Sequence, residues 1–346
     1  MGKIFNIIIL IVTLLVYLCN FIPPDIFWPA AFIAYATPLV ILINLILVII
    51  YIQRLNKLLF FPVVSVILGA GFIIDSISFH PHQENGEFTV LSFNTRIFNV
   101  YEHLNKNQNG SPEQTFEWLI NQDVDILCFQ EYYNEPLSNK YNATAALSQN
   151  ERYYNYVAPF SVNKIGEFGL AIFSRYPIIN KGIIDLQTNS QNNCIYADIL
   201  VGKDTVRIFN IHLHSMSIDE ENVVDTDKFK ATYIDLFYRL KTGFISRSEQ
   251  IRILVKKLSE YQMPIIVCGD LNDIPYSYAY TQLDRILENA FTKGGNGLGF
   301  TYNGKLFFLR IDNQFFNDLL KIHYFKTHRD LKMSDHFPVS ASYSFR

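Results

Sequence analysis

Four short segments carry residues that could do chemistry together: Phe129-Gln130-Glu131, Asn210-Ile211-His212-Leu213, Gly269-Asp270-Leu271-Asn272-Asp273 and Ser334-Asp335-His336. Hard oxygen donors such as Glu131 and Asp270 suit Mg²⁺, Mn²⁺ or Ca²⁺ rather than zinc. A bound divalent ion neutralises phosphate charge and stabilises a developing oxyanion. Hydrolysis of a phosphodiester also needs a base that titrates near neutrality, and His336, beside Asp335, is of that type. A second carboxylate on the far side of the ring would fix its tautomer. Asp312, in Arg310-Ile311-Asp312-Asn313, stands in the right order to supply it. A second imidazole, His212, could donate to phosphoryl oxygens.

Each segment alone has a plainer reading. Ser-Asp-His arises by chance, an Asp after Gly is usually a turn residue, and Gln-Glu is ordinary surface. The combination outweighs these readings, because each cluster follows an apolar run of strand length. Such runs are Phe88–Phe93, Ile126–Phe129, Gly169–Phe173, Val206–Ile211 and Pro264–Cys268. Their length and flanks favour buried strands over helices. Strand ends on a rigid scaffold are where functional side chains are held most firmly.

Two helices are signalled. Ser111-Pro112-Glu113-Gln114 is a capping box with Pro at the first helical position. Ser246-Arg247-Ser248-Glu249 is a second, followed by Ile251, Leu254, Val255 and Leu258 at helical spacing. Each leads into a strand that carries a polar cluster. The pattern predicts an α/β fold with two packed sheets and helices outside. Residues 216–245 read as an insertion with Phe229, Tyr233, Leu236, Phe237 and Leu240 at helical spacing. It is either a helix packed on the domain or an element over the site.

The chain is 49% hydrophobic, with 29 Phe and 21 Tyr, and the excess sits at the front. Ile4–Ile22, Ile26–Gln53 and Leu58–Ile74 carry no charge. A bilayer needs roughly 20 apolar residues per helix, so about three transmembrane helices are expected within a membrane anchor over residues 1–79. No small-x-small cleavage site precedes Pro23-Pro24, which argues against a cleaved signal. Lys3, Arg54 and Lys57 flank the spans on one side and should stay in the cytoplasm. A multi-pass integral membrane protein with an extracytoplasmic domain over residues 85–346 follows. Without the five charged residues before residue 80, that domain has 26 basic against 30 acidic residues. This balance excludes a generic polyanion binder. Cys19, Cys128, Cys194 and Cys268 show no metal-ligand spacing and read as packed thiols.

Over about residues 87–346 the order of these motifs resembles the endonuclease/exonuclease/phosphatase superfamily, which includes deoxyribonucleases, apurinic endonucleases and neutral sphingomyelinases. The resemblance implies a four-layer α/β sandwich of two packed mixed β-sheets flanked by helices. It implies a metal-dependent phosphoester hydrolase acting on nucleic acid, a lipid or a small-molecule phosphoester, with Mg²⁺ as cofactor, or Mn²⁺, Ca²⁺ also fitting; no protein partner is inferred. On the matching positions, Asn94 ends the first strand, and Glu131, with Asn94 and Asp335, falls to the metal. Asp270, Asn272, Asp312, His336 and His212 fall to catalysis, and Asn94, Asn272 and His212 also to substrate binding. His214 is a less favoured alternative to His212, Arg175 in Ser174-Arg175-Tyr176-Pro177 a weak phosphate contact, and Tyr302 a packing residue. Leu271 and Asn313 depart from the family's aromatic residues at positions outside the chemistry.

Overall fold

Both faces of each sheet are covered, and that is why the strands read as continuous apolar runs rather than alternating ones. The computed structural model describes every residue except 1, 82–83, 101–111, 149–153, 164, 188–191 and 216–228. One sheet contains β2 (Phe88–Asn94), β3 (Ile126–Asn134), β4 (Tyr154–Val162), β5 (Glu167–Ser174), β13 (Leu320–Thr327) and β14 (Val339–Phe345), in the order β13-β14-β2-β3-β5-β4. The other contains β6 (Ile178–Ile184), β7 (Cys194–Val201), β8 (Asp204–His212), β9 (Ile265–Asp270), β10 (Glu288–Asn289) and β12 (Asp312–Phe316), in the order β10-β12-β9-β8-β7-β6. Two-residue strands β1 (Ser78–Phe79) and β11 (Asn296–Gly297) pair separately.

Each sheet has one parallel pair at its centre. The pair β2/β3 is linked through the helix Pro112–Asn121, and β8/β9 through the helix Phe229–Leu258. Between the sheets lie Val90, Ile126, Cys128 and Ile172 from one side and Ile195, Ile208, Ile266 and Cys268 from the other. Phe116 and Leu119 cover the first sheet's outer face, and Ile251, Leu254 and Leu283 cover the second's. The layers are therefore helix, sheet, sheet, helix, as the sequence implied. All four cysteines are free and buried.

One expectation about a helix start needs correction. Residues 246–249 do not begin a helix, because Phe229–Leu258 runs straight through them. The two residues between Ser246 and Glu249 face the rest of the protein: Ser248 donates to Asp25 at 2.6 Å, and Arg247 is fully buried. The helix expected after Ser111 is present as Pro112–Asn121, with Pro112 at its start; Ser111 itself and the 216–228 part of the insertion lie outside the described residues. Of the insertion's described side chains, Phe237 and Phe244 meet the N-terminal helices, with Phe237 stacked on Phe32 at 5.2 Å.

The N-terminal helices are α1 (Lys3–Cys19), α2 (Pro29–Ala34), α3 (Thr37–Gln53), α4 (Phe60–Leu68) and α5 (Ala70–Ser76). Of the three expected spans, one helical stretch, Pro29–Gln53, is long and apolar enough to cross a membrane. Helix α1 stops after 17 residues, where the Asn20 amide turns back to the Val16 carbonyl. The third run bends by 54° between Leu68 and Ala70, so it counts as a span only if the bent pair is taken as one. The reach of a helix explains the shortfall: 17 residues extend about 26 Å, under the roughly 30 Å of a hydrocarbon core.

Gly269 shows how local sequence serves the scaffold. It has φ +140°, and a Cβ there would overlap the Ile211 carbonyl on the neighbouring parallel strand. Gly269→Ala should therefore destabilise the protein by about 2 kcal/mol or more in urea unfolding. A change under about 0.5 kcal/mol would mean that the β8/β9 pair can move apart.

Candidate active site

The carboxyl ends of both parallel pairs point the same way, so four of the expected residues meet at one rim: Asn94 ends β2, Glu131 lies near the end of β3, His212 ends β8 and Asp270 ends β9. Strand β12 runs antiparallel to β9 and starts at the same rim, with Asp312 opposite Asp270. Strand β14 runs antiparallel to β2, with Val339 opposite Ser92, so His336 just before it arrives there too.

Asp270 is the buried centre. Asn94 Nδ2, from the other sheet, donates to its Oδ2 at 3.1 Å and also reaches Glu131 Oε1 at 3.4 Å. The Asn94 Oδ1 meanwhile accepts from the Arg96 backbone N–H at 3.1 Å. Asn94 thus presents its donor to the two carboxylates. Burial pushes the Asp270 carboxyl up to about 6, with the nearby His336 opposing the rise. Burial also raises Glu131, against the pull of His336. His212 Nε2 lies 3.7 Å from both Glu131 Oε1 and Asp270 Oδ2, too far for hydrogen bonds, and it has no partner among the described residues. Burial lowers the His212 pKa, leaving a neutral ring at pH 7.

Glu131 reaches the rim through an irregularity. Strand β3 slips register against β5 between Phe129 and Tyr132, and Glu131 takes φ +49°. Thr95 Oγ1 holds its carbonyl at 2.8 Å. A non-glycine residue in this region is uncommon and is found where surrounding structure fixes it. Asn272 is similar, at φ +50°. Its backbone N–H donates to Asp270 Oδ1 at 2.7 Å, and its side-chain amide to the Leu213 carbonyl at 3.0 Å.

His336 Nδ1 faces both Asp312 oxygens at 2.9 and 3.0 Å, which sets the Nδ1–H tautomer and leaves Nε2 toward Asp270 Oδ2 at 3.8 Å. Burial opposes its charge, but Asp312 and Asp270 outweigh burial and hold its pKa well above the usual histidine range. Tyr302 stands edge-on to the ring at 5.5 Å. Asp335 lies at the half-exposed edge, 3.6 Å from Arg96 Nε. It is near enough to raise Glu131 further.

Asp270, Asp312 and His336 also have ligand-type atoms within 4.8 Å of one another. The His336 Nδ1 is engaged by Asp312, however, so the donor set better suited to a cation is Glu131 with Asp270. The buried Asp270 and the half-buried Glu131, both with raised pKa values, beside an imidazole nitrogen with no hydrogen-bond partner among the described residues fit a divalent ion.

One expected residue, Arg175, lies apart from this group. Ser174 pairs with Ile126 at the opposite end of β3, and Arg175 there joins Asp123 at 2.6 Å and Asp125 at 3.5 Å. His214 sits beyond the end of β8, half-buried. Two motif residues prove to have a structural part that composition did not signal. Gln130 Nε2 donates to Asn210 Oδ1 at 2.6 Å, and Asn210 Nδ2 donates to the Phe129 and Ala171 carbonyls, so this pair ties the two sheets together beneath the rim.

The model of the endonuclease/exonuclease/phosphatase family matches residues 91–336, and the chain belongs to that family. Its members are hydrolases that act on phosphoesters and typically depend on a divalent metal. A second model, of a domain of unknown function, matches residues 3–76. No curated protein matches the chain. Among solved structures, an endonuclease/exonuclease/phosphatase from Bacteroides vulgatus aligns with TM-score 0.55 at 15% identity, covering 75% of this chain and 99% of its own. A mannosyl-6-phosphatase from Bacteroides thetaiotaomicron gives 0.52 at 19%, covering 75% and 100%. The human nocturnin catalytic domain, with a bound sulfate, gives 0.52 at 17%, covering 79% and 97%. At these identities the likeness is one of fold.

The raised Asp270 pKa gives a stability test. A carboxyl raised in the folded state favours folding below its unfolded value near 4, and that stability is lost as pH rises through about 6. At pH 7 the ionised group therefore weakens the metal-free fold. Asp270→Asn should remove that cost and raise the unfolding free energy at pH 7 by up to about 3 kcal/mol, with no gain at pH 4. Urea titrations at the two pH values would show it, and a less stable variant at pH 7 would mean that the surrounding donors outweigh burial.

Proposed function

We propose that this protein is a divalent-metal-dependent phosphoester hydrolase of phosphodiesterase type, held at a membrane by its N-terminal helices. The observation that carries the reading is the meeting of Asn94, Glu131, His212, Asp270, Asn272 and the His336–Asp312 pair at one rim. Glu131 and Asp270 would hold the metal, with Asp335 nearby. When bound, the ion would neutralise phosphoryl charge. Asp270, with its carboxyl near 6, is ionised at neutral pH and suited to orient the attacking water. His336, held by Asp312, presents Nε2 on the same side and stabilises or transfers a proton there. His212 offers Nε2 to a phosphoryl oxygen, and Asn272 keeps one amide hydrogen for the same purpose.

The membrane hold is supported by an inside-out distribution in the N-terminal unit. Polar Thr13, Asn20, Thr37 and Asn44 are buried and bonded between helices, with Asn20–Thr37 and Asn44–Thr13 both at 3.0 Å. Ile4, Ile8, Leu15, Leu39 and Ile49 are exposed. That arrangement suits lipid better than water. An extracytoplasmic position for the catalytic part belongs to the same proposal and requires that the bent pair Lys57–Leu68 and Ala70–Ser76 cross as one span. A lipid or small-molecule phosphoester is the second reading for the substrate. The acidic balance of the domain and the exposed Leu306, Phe307 and Phe308, in the loop that follows Tyr302, favour it over a polynucleotide.

The test is turnover of bis-p-nitrophenyl phosphate with and without Mg²⁺, followed by plasmid DNA, sphingomyelin and sugar phosphates. Hydrolysis that vanishes on chelation is expected; absence of any metal-dependent turnover would refute the proposal. Glu131→Gln should raise the Mg²⁺ concentration needed for half-maximal rate by at least about tenfold. His336→Ala and Asp312→Asn should each lower turnover on the order of 10²–10⁴-fold, and the double variant should be little worse than the worse single one. Losses that multiply would show that the two side chains act independently.

A further inference from the structure

The two loops that bring Asn272 and Asp312 to the rim both end, on their outer side, against the N-terminal helices. Asp273, next to Asn272, is buried. Its Oδ1 accepts from the Tyr35 hydroxyl at 2.7 Å, and its Oδ2 accepts from Arg247 Nε at 2.9 Å. Tyr35 lies between α2 and α3. Arg247 Nη1 donates in turn to the His214 carbonyl at 2.9 Å, so the same cation also ties the segment that follows His212. On the other side Arg310, two residues before Asp312, is buried and donates to the Asp75 carbonyl of α5 at 2.6 Å. A side-chain contact between Ser76 and Tyr276 and the bond of Asp25 to Ser248 complete the seam.

We propose that the N-terminal helical unit is a positioning element of the catalytic site, acting through Tyr35 on Asp273 and through Asp75 on Arg310. The physical need is plain. Asn272 holds a left-handed backbone conformation that an asparagine leaves when unsupported. The buried Asp273 carboxylate is the nearest anchor on its C-terminal side. Without the Tyr35 hydroxyl, Asp273 Oδ1 keeps, among the described residues, only the Ile274 N–H at 3.0 Å. A buried carboxylate that loses a donor is poorly held, and the turn above it gains freedom. The unit matched to a domain of unknown function thus acquires a task beyond anchoring: it sets the geometry of the rim. A disturbance of the helices at Tyr35 would be felt as a change in the placement of Asn272 and of the segment after His212.

The inference rests on the hydrolase reading only for its kinetic part. The experiment uses the full chain and Tyr35→Phe, which removes one hydroxyl, with Tyr17→Phe as control. Tyr17 donates to the Ser65 carbonyl at 3.3 Å wholly within the helical unit. Hydrogen–deuterium exchange is followed in peptides spanning residues 268–275 and 211–215, alongside turnover of bis-p-nitrophenyl phosphate with Mg²⁺. Tyr35→Phe should speed exchange in both peptides at least about fivefold. It should lower kcat by about tenfold with KM within twofold, the signature of lost positioning rather than lost binding. Tyr17→Phe should change neither. Unchanged exchange in Tyr35→Phe, or an equal effect from Tyr17→Phe, would overturn the proposal. Should the parent chain hydrolyse nothing, the hydrolase reading fails, and the exchange result alone still decides this inference.

Discussion

The carboxylate of Asp270 is the point on which the structure turns. It ends a central strand of one sheet and accepts a hydrogen bond from Asn94, which ends a central strand of the other. A buried carboxylate is stable only with donors or cations around it. The two sheets must therefore meet at this rim in one register. The Gln130–Asn210 pair beneath it, at 2.6 Å, fixes the same register from inside the core. The raised pKa of Asp270, about 6, records how incomplete its compensation is when protein groups alone supply it. Sites of this kind trade stability for function.

Much of this arrangement was legible in the chain. The apolar runs before Glu131, His212 and Asp270 are strands β3, β8 and β9, and their length and flanks sufficed because both faces of each sheet are buried. The order of Asp312 before His336 matches a hydrogen-bonded pair in the structure. Less legible was how Glu131 faces the rim. A register slip and a positive φ at a glutamate leave no trace in hydrophobic periodicity. Nor could spacing distinguish Arg175, at the far end of β5, from a phosphate contact, since a strand's two ends look alike without its pairing partner. The capping box at 246–249 misled for a different reason. Arg247 and Ser248 within it have tertiary partners in Asp25, Asp273 and the His214 carbonyl that hold this stretch inside a longer helix, and tertiary contacts override local propensity.

The N-terminal unit was misjudged by counting. Three uncharged runs suggested three spans, but one helical stretch meets the length and apolarity required. The others are shortened by polar groups that serve packing: Asn20 bonds to Thr37, and the Tyr17 hydroxyl reaches the Ser65 carbonyl near the bend. Those same helices make specific, buried contacts with residues adjoining the site motifs. The N-terminal helices and the domain that carries the site are joined by hydrogen bonds and stacked aromatic rings rather than by a tether, so events in one have a physical route to the other.

The most direct measurement of the central claim is anomalous diffraction from crystals of the protein grown with Mn²⁺. The account predicts a peak in contact with a Glu131 carboxylate oxygen at the rim shared with Asp270 and His212. The peak should disappear in crystals of Glu131→Gln grown at the same Mn²⁺ concentration. A rim without a peak at millimolar Mn²⁺, or a peak whose ligands exclude both Glu131 and Asp270, would contradict it.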